Sequence, residues 1–156
     1  MYEIVPITDE HRTFVDSHIA YSWVGPFIAT RGQLHDTRTH PGFVAVDSEK
    51  VVGYILYNIV DDDCEITVLE SLQPKQGIGS ALIDVVRKAA KEKGCSRTWL
   101  ITTNDNTPAI RFYQRYGFTL KAVHIDAMEA ARKLKPQVPL TGLDGIPIAH
   151  EFEFEI

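Results

Sequence analysis

Between residues 64 and 92 the hydrophobic pattern changes period, and two glycines stand at the change. "CEITVLESL" alternates, with Ile66 and Val68 on one face and Glu65 and Thr67 on the other, which is the period of a strand. From Ile78 onward, Ile78, Leu82, Val85, Val86, Ala89 and Ala90 recur at three- and four-residue steps. That spacing is one face of a helix, and Gly94 is a good terminator for it. Gly77 and Gly79 would weaken either element from within, so they belong to the junction, where the backbone can come close to something. A helix start offers N–H groups without partners and a partial positive charge, so strand, glycine turn and helix together make a plausible anion site. A purely structural turn is the alternative. A Walker loop is excluded because Ser80-Ala81 follows Gly79 in place of Lys-Ser/Thr. A dinucleotide fingerprint is excluded because Leu82 stands where Gly or Ala is needed for close helix–strand packing.

Around this junction the sequence predicts further elements. "YEIVPI" alternates as a first strand, and Thr8 or Asp9 can cap a helix over residues 10–23. Residues 25–42 mix Gly, Pro, Thr and His and read as irregular, with room for a short helix. "GFVAV" and "VVGYILYNIV" read as strands joined by the turn "DSEK". "SRTWLITT" reads as a strand buried on both faces, "NTPAIRFYQRYG" as a helix with Pro108 in its first turn, and "FTLKAVH" as a strand. Asp126 is placed to cap a helix over "DAMEAARKLK"; residues 135–149 are loop-like; "HEFEFEI" is a closing strand with one wet face. The order gives an α+β fold with a mixed sheet, helices packed against it and one parallel crossover in the middle.

The length of 156 residues suits a single domain, 1–156. No apolar run is long enough for a membrane span, and the N-terminus lacks an export signal. Cys64 and Cys95 lack metal-ligand spacing, so no metal or disulfide is expected and a reducing cytoplasm fits. A net charge of −5 argues against nucleic acid as a partner. Arg87, Lys88, Lys91 and Lys93 read as the solvated face of a helix, and Asp61-Asp62-Asp63 as a solvated turn.

"PKQGIGSALI" and, about thirty residues later, "NTPAIRFYQRYGF" carry a resemblance. The first fits from Gly77 on, and the second matches at Asn106, Ala109, Tyr113, Gly117 and Phe118. From Gln73 to Phe118 the chain resembles the GCN5-related N-acetyltransferase (GNAT) superfamily. Its tail is similar to one uncharacterised bacterial branch. Pro74, which has no N–H, stands where the family motif begins with Gln or Arg. The resemblance implies the GNAT fold, a mostly antiparallel mixed sheet with helices on both faces and one central parallel crossover. It also implies acetyl-CoA as co-substrate and direct transfer of acetyl to a primary amine in a ternary complex. The pyrophosphate would rest on the N–H groups of Gln76, Gly77, Ile78, Gly79, Ser80 and Ala81. The pantetheine arm would bond to backbone near Leu69 and Ser71, and Asn106 would bond the coenzyme or cap its own helix.

The chemistry asks for a base, an oxyanion holder and an acid. An N–H near Leu69 or Glu70 is implied as the oxyanion donor. Tyr113 stands where the family often has the acid that protonates the leaving thiolate, its other reading being a core aromatic. Glu70 is the first candidate for the base, with Glu65 and His124 behind it; each also reads as an ordinary polar side chain. Cys95 follows a helix end, where the dipole disfavours a thiolate, so no acetyl-cysteine intermediate is expected. In the family the acceptor groove corresponds to about Trp23 to Asp36 and Lys135 to Ile148. The acceptor is a small-molecule or peptide amine. The competing reading is a catalytically silent acetyl-CoA sensor or partner subunit. A homodimer through the edge of "EFEFEI" is a further expectation.

Overall fold

The computed structural model describes residues 1–156. In chain order the elements are β1 (Glu3–Pro6), α1 (Asp9–Ser22), β2 (Phe27–Thr30), β3 (Gln33–Asp36), β4 (Gly42–Asp47), β5 (Lys50–Val60) and β6 (Asp63–Ser71). There follow α2 (Ile78–Glu92), β7 (Arg97–Thr103), α3 (Thr107–Tyr116), β8 (Thr119–His124), α4 (Ala127–Leu134) and β9 (Glu151–Glu155). The class is the expected α+β one, with mainly antiparallel strand pairs and the passage β6–α2–β7 in the middle of the chain. The chain forms two compact units, residues 1–26 with 37–98, and residues 27–36 with 99–156.

In the first unit β1, β4, β5 and β6 pair antiparallel in that order. Ser48 and Glu49, at φ 49° and 67°, close the turn between β4 and β5, both in the left-handed region that a two-residue hairpin turn demands. Every residue from Val52 to Tyr57 on β5 is buried, because helices cover both faces. A methyl on Gly53 would meet Ile78 and Leu82 of α2. The next side chain, Tyr54, instead meets His18 of α1. Successive strand residues point to opposite faces, so α1 and α2 sandwich the sheet. Thr8 sits at the N-cap of α1 as expected, its N–H donating to His11 Nδ1 at 3.2 Å. α2 buries Ile78, Leu82, Ile83, Val86 and Ala90, so the face extends to Ile83 while Val85 and Ala89 stay half-buried.

In the second unit β9 lies between β7 and β8 and pairs antiparallel with both. This corrects two expectations. "EFEFEI" has no free edge, so it cannot pair with a second copy. Its glutamates do not form a wet face either, since Glu151 is 1% exposed. β7 alternates, burying Thr98, Leu100 and Thr102 and leaving Trp99 and Ile101 half-buried, where burial on both faces was expected. The stretch expected to be irregular contains the hairpin β2–β3, turning at Arg31-Gly32, followed by a 3-10 turn at Thr37–Thr39. Arg31 takes φ 48° there, a conformation its side chain does not advertise. Asp126 is at the N-cap of α4 but its carboxylate does not cap it; its N–H donates to His150 Nδ1 at 2.8 Å. Residues 135–149 are loop-like, as expected, and are tied down by the residues after β7. Asn104 Oδ1 accepts the N–H groups of Ala149 and His150, each at 2.9 Å. Asp105 accepts from Leu143 N at 3.3 Å.

Candidate active site

Leu69, Glu70, Ser71 and the residues Gln76 to Ala81 all fall in the first unit, on β6 and the start of α2. Asn106 and Tyr113 stand on α3 in the second unit. Each group has its own geometry.

Gly77 is the N-cap of α2 and takes φ 74°. Lys75, two residues earlier, is at φ 65°. These left-handed residues turn the chain sharply enough to aim the first N–H groups of α2 outward. No side chain caps them, and the first turn holds no acidic residue. Gln76 and Gly77 are exposed, and a methyl on Gly77 would find only the Tyr2 hydroxyl, at 3.9 Å. An exposed helix start with uncapped donors fits a pyrophosphate.

On β6 the backbone polarity alternates. Leu72 N donates to Val52 O on β5 at 2.9 Å. By antiparallel parity Glu70 also turns its N–H to β5, whereas Leu69 and Ser71 point theirs away. Of the two oxyanion donors expected, Leu69 N–H is therefore the one not turned to β5. Ser71 Oγ donates to Gln73 O at 3.2 Å, which bends the chain into the turn.

Glu70 pairs across the sheet with Tyr54, so both side chains face α1. Burial pushes its carboxyl above the ordinary glutamate range, opposed by the nearby His18 and by a hydrogen bond from Trp23. Tyr54 is fully buried, and its hydroxyl lies 2.6 Å from His18 Nδ1. Burial, and then the Glu70 charge, push its phenol up, so it stays protonated. The His18 ring stands edge-on to Tyr54 at 5.5 Å and stacks on Phe14 at 5.9 Å. Glu65 is buried near the other end of β6, five residues and about 16 Å of strand from Glu70. It does not join this cluster. Sequence reasoning missed His18 and Tyr54. The one available signal was a tyrosine in an otherwise aliphatic run, since a buried hydroxyl needs a partner.

In the second unit Asn106 caps α3, its Oδ1 accepting from Ala109 N at 3.4 Å. Gly117, at φ 127°, ends the helix. Tyr113 is half-buried, with its ring centroid 5.6 Å from Phe118 and 6.1 Å from Phe154. His124, the other candidate base, has Nε2 3.0 Å from Glu153 Oε1. Buried Glu151 accepts the Arg31 N–H at 3.2 Å, with the Arg31 guanidinium 3.9 Å away. Both cysteines are free, and burial pushes the Cys64 thiol up to about 12. No three His, Cys, Asp or Glu side chains gather as a metal site, and no helix is long and apolar enough to cross a membrane.

Comparison with known proteins identifies the family of the chain and of its fold. Residues 8–118 match the sequence model of a family described as the acetyltransferase (GNAT) family. The uncharacterised Bacillus subtilis protein YdhI is 39% identical over 155 residues, covering 99% of this chain and 97% of its own. YxbD of the same organism, also uncharacterised, is 34% identical over 149 residues, covering 95% and 94%. Among solved structures, a GNAT acetyltransferase from Elizabethkingia anophelis with acetyl-CoA bound superposes with a TM-score of 0.70 at 18% identity, covering 99% of this chain and 97% of that one.

Proposed function

Because the chain belongs to the GNAT family of acetyltransferases, we propose that residues 1–156 act as one N-acetyltransferase domain that moves acetyl from acetyl-CoA directly to a primary amine. The observation that carries this reading is the uncapped, glycine-led start of α2 immediately after β6. Its N–H groups from Gln76 to Ser80 would hold the pyrophosphate, and the backbone groups of Leu69 and Ser71 that turn away from β5 the pantetheine. Ala81 N–H, expected among these donors, is instead taken by Gly77 O at 3.1 Å, the first bond of the helix ladder. Acetyl-CoA supplies an acyl carbon and a thiolate leaving group. In the transfer a bond forms from amine nitrogen to acyl carbon, and the bond from that carbon to sulfur breaks. Glu70 accepts the ammonium proton, a task suited to a carboxyl raised by burial. Leu69 N–H stabilises the charge on the acyl oxygen. Tyr113 gives its phenolic proton to the departing sulfur and is restored by the second proton that the nitrogen sheds on becoming an amide, a role supported by its register with Asn106, Ala109, Gly117 and Phe118. Asn106 reaches the coenzyme from its capping position.

Calorimetry tests the coenzyme reading. Wild type should bind acetyl-CoA with measurable heat and Gly77→Trp should not; no heat in wild type overturns the proposal. Tyr113→Phe tests the acid. It should lower kcat by about 10²-fold while the acetyl-CoA Kd is kept. If wild type binds coenzyme but turns over no amine in a broad screen, the competing reading, a silent acetyl-CoA sensor or partner subunit, takes its place. The two free thiols support a reducing cytoplasmic setting. The acidic net charge supports a partner other than nucleic acid. A homodimer stays in the proposal only through a surface other than β9, and a monomer mass by light scattering at high concentration removes it.

A further inference from the structure

Resting on the acetyl-transfer reading above, we propose that the acceptor is a monoamine carried on a flat aromatic frame, its ammonium against Glu70 and its ring among Phe14, His18 and Trp23. These four residues and Tyr54 form one contiguous set. Phe14 stacks on His18 with an interplanar angle of 24°. His18 bonds the Tyr54 hydroxyl at 2.6 Å, Tyr54 pairs with Glu70, and Glu70 accepts a hydrogen bond from Trp23.

The charge pattern selects a single cation. Glu70 is half-buried, and no lysine or arginine makes an ion pair with it. The arginine of α1, Arg12, is committed elsewhere, to the carbonyls of Thr37 and His40 and to Asp16. His18 is the one basic side chain acting on the Glu70 charge, and a half-buried carboxylate with no lysine or arginine partner favours a cationic ligand. Tyr54 stays neutral, so the set holds one carboxylate. A second ammonium would find no partner within it, and a carboxylate on the acceptor would face Glu70.

The walls select the frame. Phe14 stacks on His18 yet remains 41% exposed, and Trp23 is 38% exposed. Large aromatic faces left open beside an anion attract an organic cation through the ring quadrupole, and pack flat apolar groups. The Tyr54 hydroxyl and His18 Nδ1 share a hydrogen bond of 2.6 Å. This fixes the imidazole plane as a wall rather than leaving it to rotate.

The test compares 2-phenylethylamine with phenylalanine, which adds a carboxylate, and with spermidine, which has further cations and no ring. Initial rates of CoA release should give 2-phenylethylamine a kcat/KM about tenfold or more above either. Phe14→Ala, at an exposed position that tolerates truncation, should raise its KM about tenfold with kcat and the acetyl-CoA Kd unchanged. Equal use of phenylalanine or spermidine, or an unchanged KM in Phe14→Ala, overturns the proposal. If acetyl-CoA itself fails to bind, it is the acetyl-transfer reading that fails. Calorimetry of 2-phenylethylamine alone then decides the subsite: binding weakened in Phe14→Ala supports it, and no binding overturns it.

Discussion

Gly53→Ala is a test of how the coenzyme turn is held. Gly53 is buried on β5, and an added methyl would stand 2.6 Å from Ile78 Cγ2, 3.0 Å from Glu70 O and 3.4 Å from Leu82 Cδ1. Carbon atoms settle at about 3.5–4.0 Å, so Ile78 has to retreat by roughly 1 Å. Its side chain cannot turn aside. It is β-branched within a helix, which leaves essentially one rotamer, and it is 1% exposed. The displacement therefore passes to the helix backbone. Ile78 is the first residue of α2, so the N–H groups proposed to hold the pyrophosphate move with it. Overpacking of this kind costs about 1–3 kcal/mol. For a chain of this length that lowers Tm by roughly 2–12 °C. Shifting several donors by roughly 1 Å should also weaken acetyl-CoA binding by about tenfold or more. Thermal unfolding by circular dichroism reads the first effect and calorimetric titration the second. A Tm within about 1 °C of wild type together with an unchanged Kd would refute the packing argument.

Two other outcomes are expected. Burial raises the Glu151 carboxyl in the folded chain, so the folded state prefers the protonated form. The stability tied to that proton is full below the unfolded glutamate value and is lost as pH rises through the raised folded value. Glu151→Gln cannot ionise, so its Tm should gain on wild type as pH rises above the ordinary glutamate value of about 4; a difference that does not change with pH contradicts the assignment. The thiols should also separate. Cys95 is partly accessible and should be alkylated in the folded protein, whereas Cys64, 0% exposed and pushed up to about 12, should react only after unfolding. Equal labelling of both in native protein, read by peptide mass, would show that β6 opens readily at its start.

The sequence was most legible where local physics decides the backbone. The period change at Ile78 located α2, and Asn106, Pro108 and Gly117 bounded α3, because caps and periodicity act over three or four residues. The hairpin β2–β3 was not legible because Arg31 occupies a left-handed position usually signalled by Asn, Asp or Gly. β9 was misjudged for a different reason. Its alternation of Phe and Glu is that of a half-wet strand. Only the tertiary partners Arg31 and β8 explain a glutamate buried at position 151. In the candidate site, Glu70 and the Gly-Ile-Gly turn could be picked out from the chain. His18 and Tyr54 could not: they are 36 positions apart, and a pairing made by packing α1 on the sheet leaves no spacing to read.

The central place of β9 bears on the order in which the chain can acquire its structure. β1, β4, β5 and β6 have all been synthesised by residue 71, so their ladders can close early. β7 and β8 are different: each finds β9 as its neighbour in the second unit, and β9 is made last of the three. Until residues 151–155 emerge, the groups that β7 and β8 will turn toward β9 have no mate, and such strands are open to wrong partners. A nascent chain thus carries the glycine turn in a half that can settle early, while the half bearing Tyr113 waits for its keystone. A chain that stops before residue 151 should therefore aggregate more readily than the full one.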